Sequence, residues 1–334
     1  MPPIRIGVAG VGWIAQVVHL PILLGLPDCK VTAVCDKDRR KARLVGEKFK
    51  IPHVFTDLKS MLDEVELDAV IISTSTDMHA ETAIQAIEAG KDVLVEKPIA
   101  RTLREAMAIA ESSRTHNRKV LVGMNQRFRP DSLLIKKSVE EKDLGKILYV
   151  RTGWLRRPSS NSAWFLRRER SGGGVFVDLG IAMLDMALWM CEYPAVRRVN
   201  ATMFHHHTKG VEDTSVVTLV LGNGASIIIE VSWSLHIQED VFYCHVFGTE
   251  GTGSLQPLRI VQDHGGTPVS VVAPKGGNPQ SYFHRSYENE LRHFLDVVRG
   301  KEPAGSTIEE AVECMRIVEA VYRSAARGKE CLLS

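Results

Sequence analysis

The residues with the clearest chemical purpose stand in Gly7-Val8-Ala9-Gly10-Val11-Gly12-Trp13-Ile14-Ala15, which closes the β-branched run 4–9 and leads into a helical segment. The G-x-G-x-x-A spacing at Gly10, Gly12 and Ala15 suits a dinucleotide. Gly10 permits a tight turn, Gly12 lets the backbone approach a pyrophosphate, and Ala15 allows close helix–sheet packing. The helix N-terminus supplies amide donors for the phosphates, so Gly10, Gly12, Trp13 and Ile14 are expected to bind the cofactor. Glycine-rich strand–helix turns also occur as purely structural features and in methyltransferases. Asp36 favours the dinucleotide, because it ends the second strand, 24 positions after Gly12, where a carboxylate holds both ribose hydroxyls of an adenosine. A carboxylate there repels a 2′-phosphate, so NAD is expected, with NADP possible. Lys37, Arg39 and Arg40 follow at once, either as a solvated start to the next helix or as groups that tolerate that phosphate.

Two further segments sit after the third and fourth strands, at the edge where ligands of such sheets bind: Ile71-Ile72-Ser73-Thr74-Ser75-Thr76-Asp77-Met78-His79 and Val95-Glu96-Lys97-Pro98. With the later run Ser171-Gly172-Gly173-Gly174-Val175-Phe176-Val177-Asp178-Leu179-Gly180, the chain resembles the Gfo/Idh/MocA oxidoreductases, which include inositol dehydrogenases and glucose-fructose oxidoreductase. The likeness covers nearly the whole chain. It implies an N-terminal Rossmann domain, a C-terminal domain with a large, mostly antiparallel open sheet, and hydride transfer between a nicotinamide and a sugar or polyol carbon. By position, Ser73, Thr74, Thr76 and His79 are expected near the nicotinamide end of the cofactor. Glu96 and Lys97 are expected to close the site, with Arg127 at the domain boundary. The family usually has Pro-Asn where this chain has Ser75-Thr76, so contacts there are expected to differ in detail.

An alcohol whose carbon loses hydride must also lose its hydroxyl proton, and a ketone whose carbon gains hydride must gain a proton on oxygen. Lys97 is the expected proton-handling or oxygen-polarising group, and Asp178 the group that orients the reacting hydroxyl. The alternative for Lys97 is a structural ion pair with Glu96 or Asp178. Asp178, Ala182 and Asp185 share one helical face. The family commonly carries a general acid/base histidine where this chain has Ala182, and a methyl group cannot move a proton. Either Lys97 and Asp178 do that work, or a histidine from another segment enters, or the protein is a noncatalytic cofactor-binding sensor.

The elements that must hold these residues are visible in the pattern. Short apolar runs at 4–9, 31–35, 69–73, 92–95 and 119–122 alternate with helical periods at 37–49, 79–89 and 102–117, as βαβ units do. Thr102 and Glu105 have capping-box spacing. Longer strands follow at 147–154, 216–221, 226–233 and 241–247, with a hairpin turn at Leu221-Gly222-Asn223-Gly224. A helix over 306–327 is expected to open with Ser306 and Glu309 and to end at Gly328. The domains are expected at residues 1–122 and 123–334.

The 334 residues carry 42 basic and 40 acidic side chains, a formal charge of +2, which supplies no field for a nucleic-acid partner. No uninterrupted apolar run reaches the roughly 18 residues of a spanning helix, and no apolar signal segment follows Met1. A cytoplasmic protein without a membrane partner is expected. The six cysteines form no CxxC pair and are expected as free, mostly buried thiols. Adjacent His205, His206 and His207 do not project to one side of a strand, so no metal is expected. His236, Tyr282 and His284 are candidates to reach the substrate, as are Trp154, Asp185 and Trp164, the last beside the nicotinamide, over the sugar or simply in the core. Six arginines between Arg151 and Arg170 suit either an acidic sugar or a solvated loop. The Ile227-Ile228-Ile229 run puts apolar groups on both faces of a strand, from which a homodimer or homotetramer through the outer sheet face is expected.

Overall fold

The computed structural model describes residues 2–157, 164–271 and 279–333. Contacts divide the chain into two compact units, Met1–Asn125 with Tyr287–Val312, and Gln126–Ser286 with Glu313–Ser334. The return of 287–312 to the first unit leaves no mark in the local pattern. It is fixed by tertiary bonds: Ser306 Oγ donates to the Val122 carbonyl at 2.5 Å, and Val122 N donates to Ser306 O at 3.2 Å.

In the first unit, β1 (Ile4–Ala9), β2 (Cys29–Cys35), β3 (His53–Phe55), β4 (Ala69–Ile72), β5 (Asp92–Glu96) and β6 (Val120–Gly123) form one sheet in the order β3-β2-β1-β4-β5-β6. Every pairing is parallel. A sheet covered on both faces needs continuous apolar strands, and all four residues of β4 are buried. The strand order reverses between β1 and β4, the switch point at which open α/β sheets bind ligands beyond their carboxyl ends. The helix Arg39–Phe49 starts at Asp38, whose side chain accepts from Lys41 N. The helix Leu103–His116 starts at Thr102, whose hydroxyl accepts from Glu105 N at 3.2 Å. Glu105 reaches back to Arg101 N at 3.0 Å, one residue beyond the expected box partner. The box of the helix Ile308–Arg327 is likewise displaced by one residue. Thr307 and Glu310 exchange the two bonds, at 3.2 and 3.0 Å, because the Ser306 hydroxyl is already committed to Val122.

In the second unit, β7 (Ile147–Leu155), β8 (Val196–Phe204), β9 (Thr214–Leu221), β10 (Ser226–Ser232), β11 (Val241–Gly248), β12 (Gly251–Leu255), β13 (Arg259–His264), β14 (Thr267–Val271) and β15 (Cys331–Leu332) make a nine-stranded sheet. Only β7 and β10 pair in parallel; the other neighbours are antiparallel. The π-turn Phe176–Gly180 and the helix Ile181–Met190 cover one face, and Trp189 alone in that helix is not buried. By length and composition Arg168–Met190 would also pass for a spanning helix, yet 89% of its apolar window is buried within the protein. Its apolar surface is spent on the sheet.

Candidate functional site

The glycine turn is built as a ligand cradle. Gly10 N donates to Cys35 O at 2.8 Å, and Gly10 sits at φ +88°, where a Cβ would lie 2.5–2.6 Å from the backbone of Ser73 and Thr74. Only glycine fits there. A Cβ on Gly12 would meet nothing within 4 Å, so its face is open for a phosphate to approach, and Trp13 is 65% exposed beside it. Asp36 is 8% exposed and is tied to the same turn: Oδ2 accepts from Val11 N, and Oδ1 from Asp38 N, each at 3.0 Å. The Lys41 ammonium lies 2.7 Å from Oδ2. The sequence offers Lys37, Arg39 and Arg40 as the nearby cations; it is Lys41 that folds back onto the carboxylate.

The loop after β4 closes the other side of the turn. Ser73 Oγ donates to Gly10 O at 2.8 Å, Thr76 is buried, and the Thr74 hydroxyl is a buried group without a hydrogen-bond partner. His79 is 2% exposed, with Nδ1 2.8 Å from Pro98 O and Nε2 3.2 Å from Thr74 O. Burial pushes its pKa down, and a neutral imidazole has one N–H to give. We assign that donor to the shorter contact with Pro98. His79 thus joins the loop after β4 to the loop after β5. In that second loop, Glu96 ends β5, Lys97 follows, and Glu96 Oε1 lies 2.8 Å from the Nε2 of buried His19. Burial opposes the Glu96 charge, but the His19 bond and the Lys97 charge outweigh it and hold the carboxyl below its usual range. No spacing in the sequence marks His19; it lies on the π-turn Ala15–His19 directly behind the fingerprint. An open Gly12 face, a carboxylate on the turn and an unpartnered hydroxyl together fit a dinucleotide.

The second unit presents Asp178 on its π-turn, partly exposed, with Oδ2 accepting from Trp233 Nε1 at 3.3 Å. What holds this turn is Glu212, another residue that spacing did not reveal. Its carboxylate accepts from Gly174 N at 3.1 Å and from Phe176 N at 2.9 Å, and Tyr322 donates its hydroxyl at 2.8 Å. A Cβ on Gly174 would stand 2.0 Å from Glu212 O, which explains a glycine there. The helix start has no cap of its own, so a buried carboxylate from the segment just before β9 serves its amides.

Arg127 and Asp185 are brought to each other. They are 2% and 1% exposed, joined by two bonds of 2.8 and 2.5 Å, and Tyr193 OH lies 2.6 Å from the guanidinium. Ala182 is buried on the same helix. Trp164 stacks on Phe165 with centroids 3.9 Å apart, and Trp154 meets Phe242 edge-on at 5.7 Å. Tyr282 lies near Arg129, whose Cζ is 5.8 Å from its ring. His236 and His284 are exposed, and His236 lies 6.0 Å from His207, ring to ring. Among the described residues, no three of His, Cys, Asp and Glu are grouped to hold a metal. Of the six arginines, Arg151 pairs with Glu230, Arg156 with Asp240, and Arg168 lies over Tyr322.

A 3-2-1-4-5-6 parallel sheet with this turn defines a Rossmann-type dinucleotide-binding unit, carried in one chain with a second unit built on a nine-stranded sheet. Residues 4–124 match the oxidoreductase family described as having an NAD-binding Rossmann fold, and residues 133–254 match the C-terminal domain of the same GFO/IDH/MocA family. The chain belongs to that family. It is 29% identical to D-glucoside 3-dehydrogenase of Escherichia coli, over 98% of this chain and 96% of that one. It is 28% identical to the NAD-dependent scyllo-inositol 2-dehydrogenase of Bacillus subtilis, over 92% and 90%. Among solved structures, GenD2 from gentamicin A biosynthesis, in complex with NAD, superposes with a TM-score of 0.87 at 25% identity, covering 100% of this chain and 97% of that one. Levoglucosan dehydrogenase with NADH and L-sorbose gives a TM-score of 0.88 at 21% identity, with both chains fully covered, and shares the fold.

Proposed function

We propose that this protein is an NAD-dependent dehydrogenase or reductase acting on a CH–OH carbon of a sugar or polyol. When bound, the nicotinamide supplies the hydride acceptor or donor. The chain supplies the rest: Lys97 takes the hydroxyl proton in oxidation and returns it in reduction, while Asp178 accepts a hydrogen bond from the reacting hydroxyl and orients it. The observation that carries this reading is that Lys97 follows β5 on the same carboxyl edge as the fingerprint turn and Asp36, with its neighbour Glu96 fixed from behind by His19. Relatives of nearly equal length that act on a glucoside and an inositol support the substrate class. A panel of polyols, aldoses and sugar acids at saturating cofactor, read by nicotinamide absorbance, tests it. Turnover is expected with a neutral sugar or polyol. Because Ala182 stands where the family has a proton-handling histidine, the second reading is a noncatalytic sensor. Binding of cofactor and sugar without any absorbance change would favour that reading.

We propose a cytoplasmic homodimer or homotetramer, with the uncovered face of the second sheet against another copy. Five of the six cysteines are buried free thiols, which suits a reducing compartment. On the uncovered face Tyr149 stacks on Phe247, with centroids 4.3 Å apart. Leu148 and Val216 are 48% and 40% exposed, and Ile228 is half-buried between buried Ile227 and Ile229. Light scattering at micromolar concentration is expected to give at least a dimer, and Ile228→Asp to lower that mass. A monomeric wild type would overturn the assignment.

A further inference from the structure

We infer that Lys41 sets the balance between NAD and NADP, acting as the counter-ion of Asp36 and as the cation available to a 2′-phosphate. The inference rests on the dinucleotide assignment and deepens it. Asp36 is the carboxylate that meets the adenosine ribose in this class of sheet, and its acceptor positions are already partly taken. Oδ1 accepts from Asp38 N and Oδ2 from Val11 N, so the group is locked in place by backbone donors. On Oδ2 the Lys41 ammonium is the one mobile occupant: its backbone is fixed by the Asp38 cap at 3.1 Å, while its side chain is 39% exposed. A flexible ammonium can leave a carboxylate oxygen without disturbing the fold.

The consequence differs for the two dinucleotides. Ribose hydroxyls are hydrogen-bond donors and compete with Lys41 for Oδ2, so Lys41 brings little to NAD binding. A 2′-phosphate is an anion facing an anion, and what makes it tolerable is a cation that neutralises Asp36 or turns to the phosphate itself. Arg39 and Arg40 are exposed and stand outside this network. The wild-type preference for NAD is therefore expected to be moderate, and Lys41 to be the residue that keeps it so.

Calorimetric titration of the full chain with NAD and with NADP separates the possibilities without requiring turnover. Lys41→Met is expected to weaken NADP by about tenfold or more, the scale of one partly screened charge contact, while NAD changes by less than about threefold. Lys41→Arg keeps the charge and is expected to preserve the wild-type ratio. Asp36→Ser is expected to tighten NADP, and the double variant Asp36→Ser/Lys41→Met to lose that gain. Asp36→Ser combined with Arg39→Ser or Arg40→Ser is expected to keep it. Equal weakening of both dinucleotides by Lys41→Met, or NADP affinity in the Asp36→Ser background that depends on Arg39 or Arg40 instead, overturns the inference. A wild type that binds neither dinucleotide overturns the cofactor assignment itself, a result the variants cannot mimic.

Discussion

Replacing Lys97 by alanine is expected to cut turnover by about 10²- to 10⁴-fold, the usual contribution of a general acid/base group, while leaving cofactor affinity nearly unchanged. The expectation follows from where Lys97 stands. It is attached to the last residue of β5, at the ligand-binding edge, and that residue is clamped by a buried histidine. The fingerprint turn, Asp36 and the loop after β4 are bonded to one another without it, so the adenosine half of the site does not depend on the Lys97 side chain. Asp178→Asn keeps an acceptor oxygen but loses the charge, and is expected to raise KM and lower kcat together. The competing origin for the proton is an imidazole that replaces the family's histidine, missing at Ala182. Should Lys97→Ala retain most of its turnover while His236→Ala or His284→Ala does not, the proton-handling role moves to that histidine.

Asp185→Ala is expected to destabilise the second unit strongly. Removing one partner of a buried ion pair costs about 3–5 kcal/mol, because the other charge stays buried. Here the loss falls on Arg127, 2% exposed, and also takes an acceptor from the Tyr193 hydroxyl. Burial and the Asp185 charge already push the Tyr193 pKa well up, so this phenol stays a donor and cannot offset the lost charge. A fall in Tm of about 10 °C is expected for a unit of this size, read by thermal denaturation. A fall below about 2 °C would contradict the burial argument. Any folded fraction at low temperature also reports on Asp185 as a substrate contact: an unchanged KM gives it a structural role, whereas a raised KM gives it a part in binding.

How much of this was legible in the chain depends on what each element buries. The strands of the parallel sheet were visible because both of their faces are covered, which forces apolar runs such as Val70-Ile71-Ile72. The strand His53–Phe55 escaped notice because it is a three-residue edge with mostly exposed side chains. The strands Arg259–His264 and Thr267–Val271 carry charge, proline and exposed groups, so they lack the strict alternation that marks a half-buried strand. Ile181–Met190 is apolar on nearly every side, which erases the 3.6-residue period that reveals a surface helix. In the proposed site, type and spacing single out Gly10 and Asp36, and the family resemblance singles out Lys97. Glu212 and Lys41 answer only to the tertiary structure: one serves amides about 38 residues away, and the other resembles any lysine on a solvated helix. The sequence does not show that both ring nitrogens of His79 face carbonyl oxygens, because Pro98 is brought to it by the tertiary fold.

Direct hydride transfer is decided by the fate of one hydrogen. With the best substrate of the panel carrying deuterium on its carbinol carbon, the reduced nicotinamide is isolated after a single turnover and its mass is measured. A nicotinamide heavier by one deuterium is expected, formed by wild type and suppressed in Lys97→Ala. Reduced cofactor without the label, or none at all while sugar and NAD both remain bound, would contradict it.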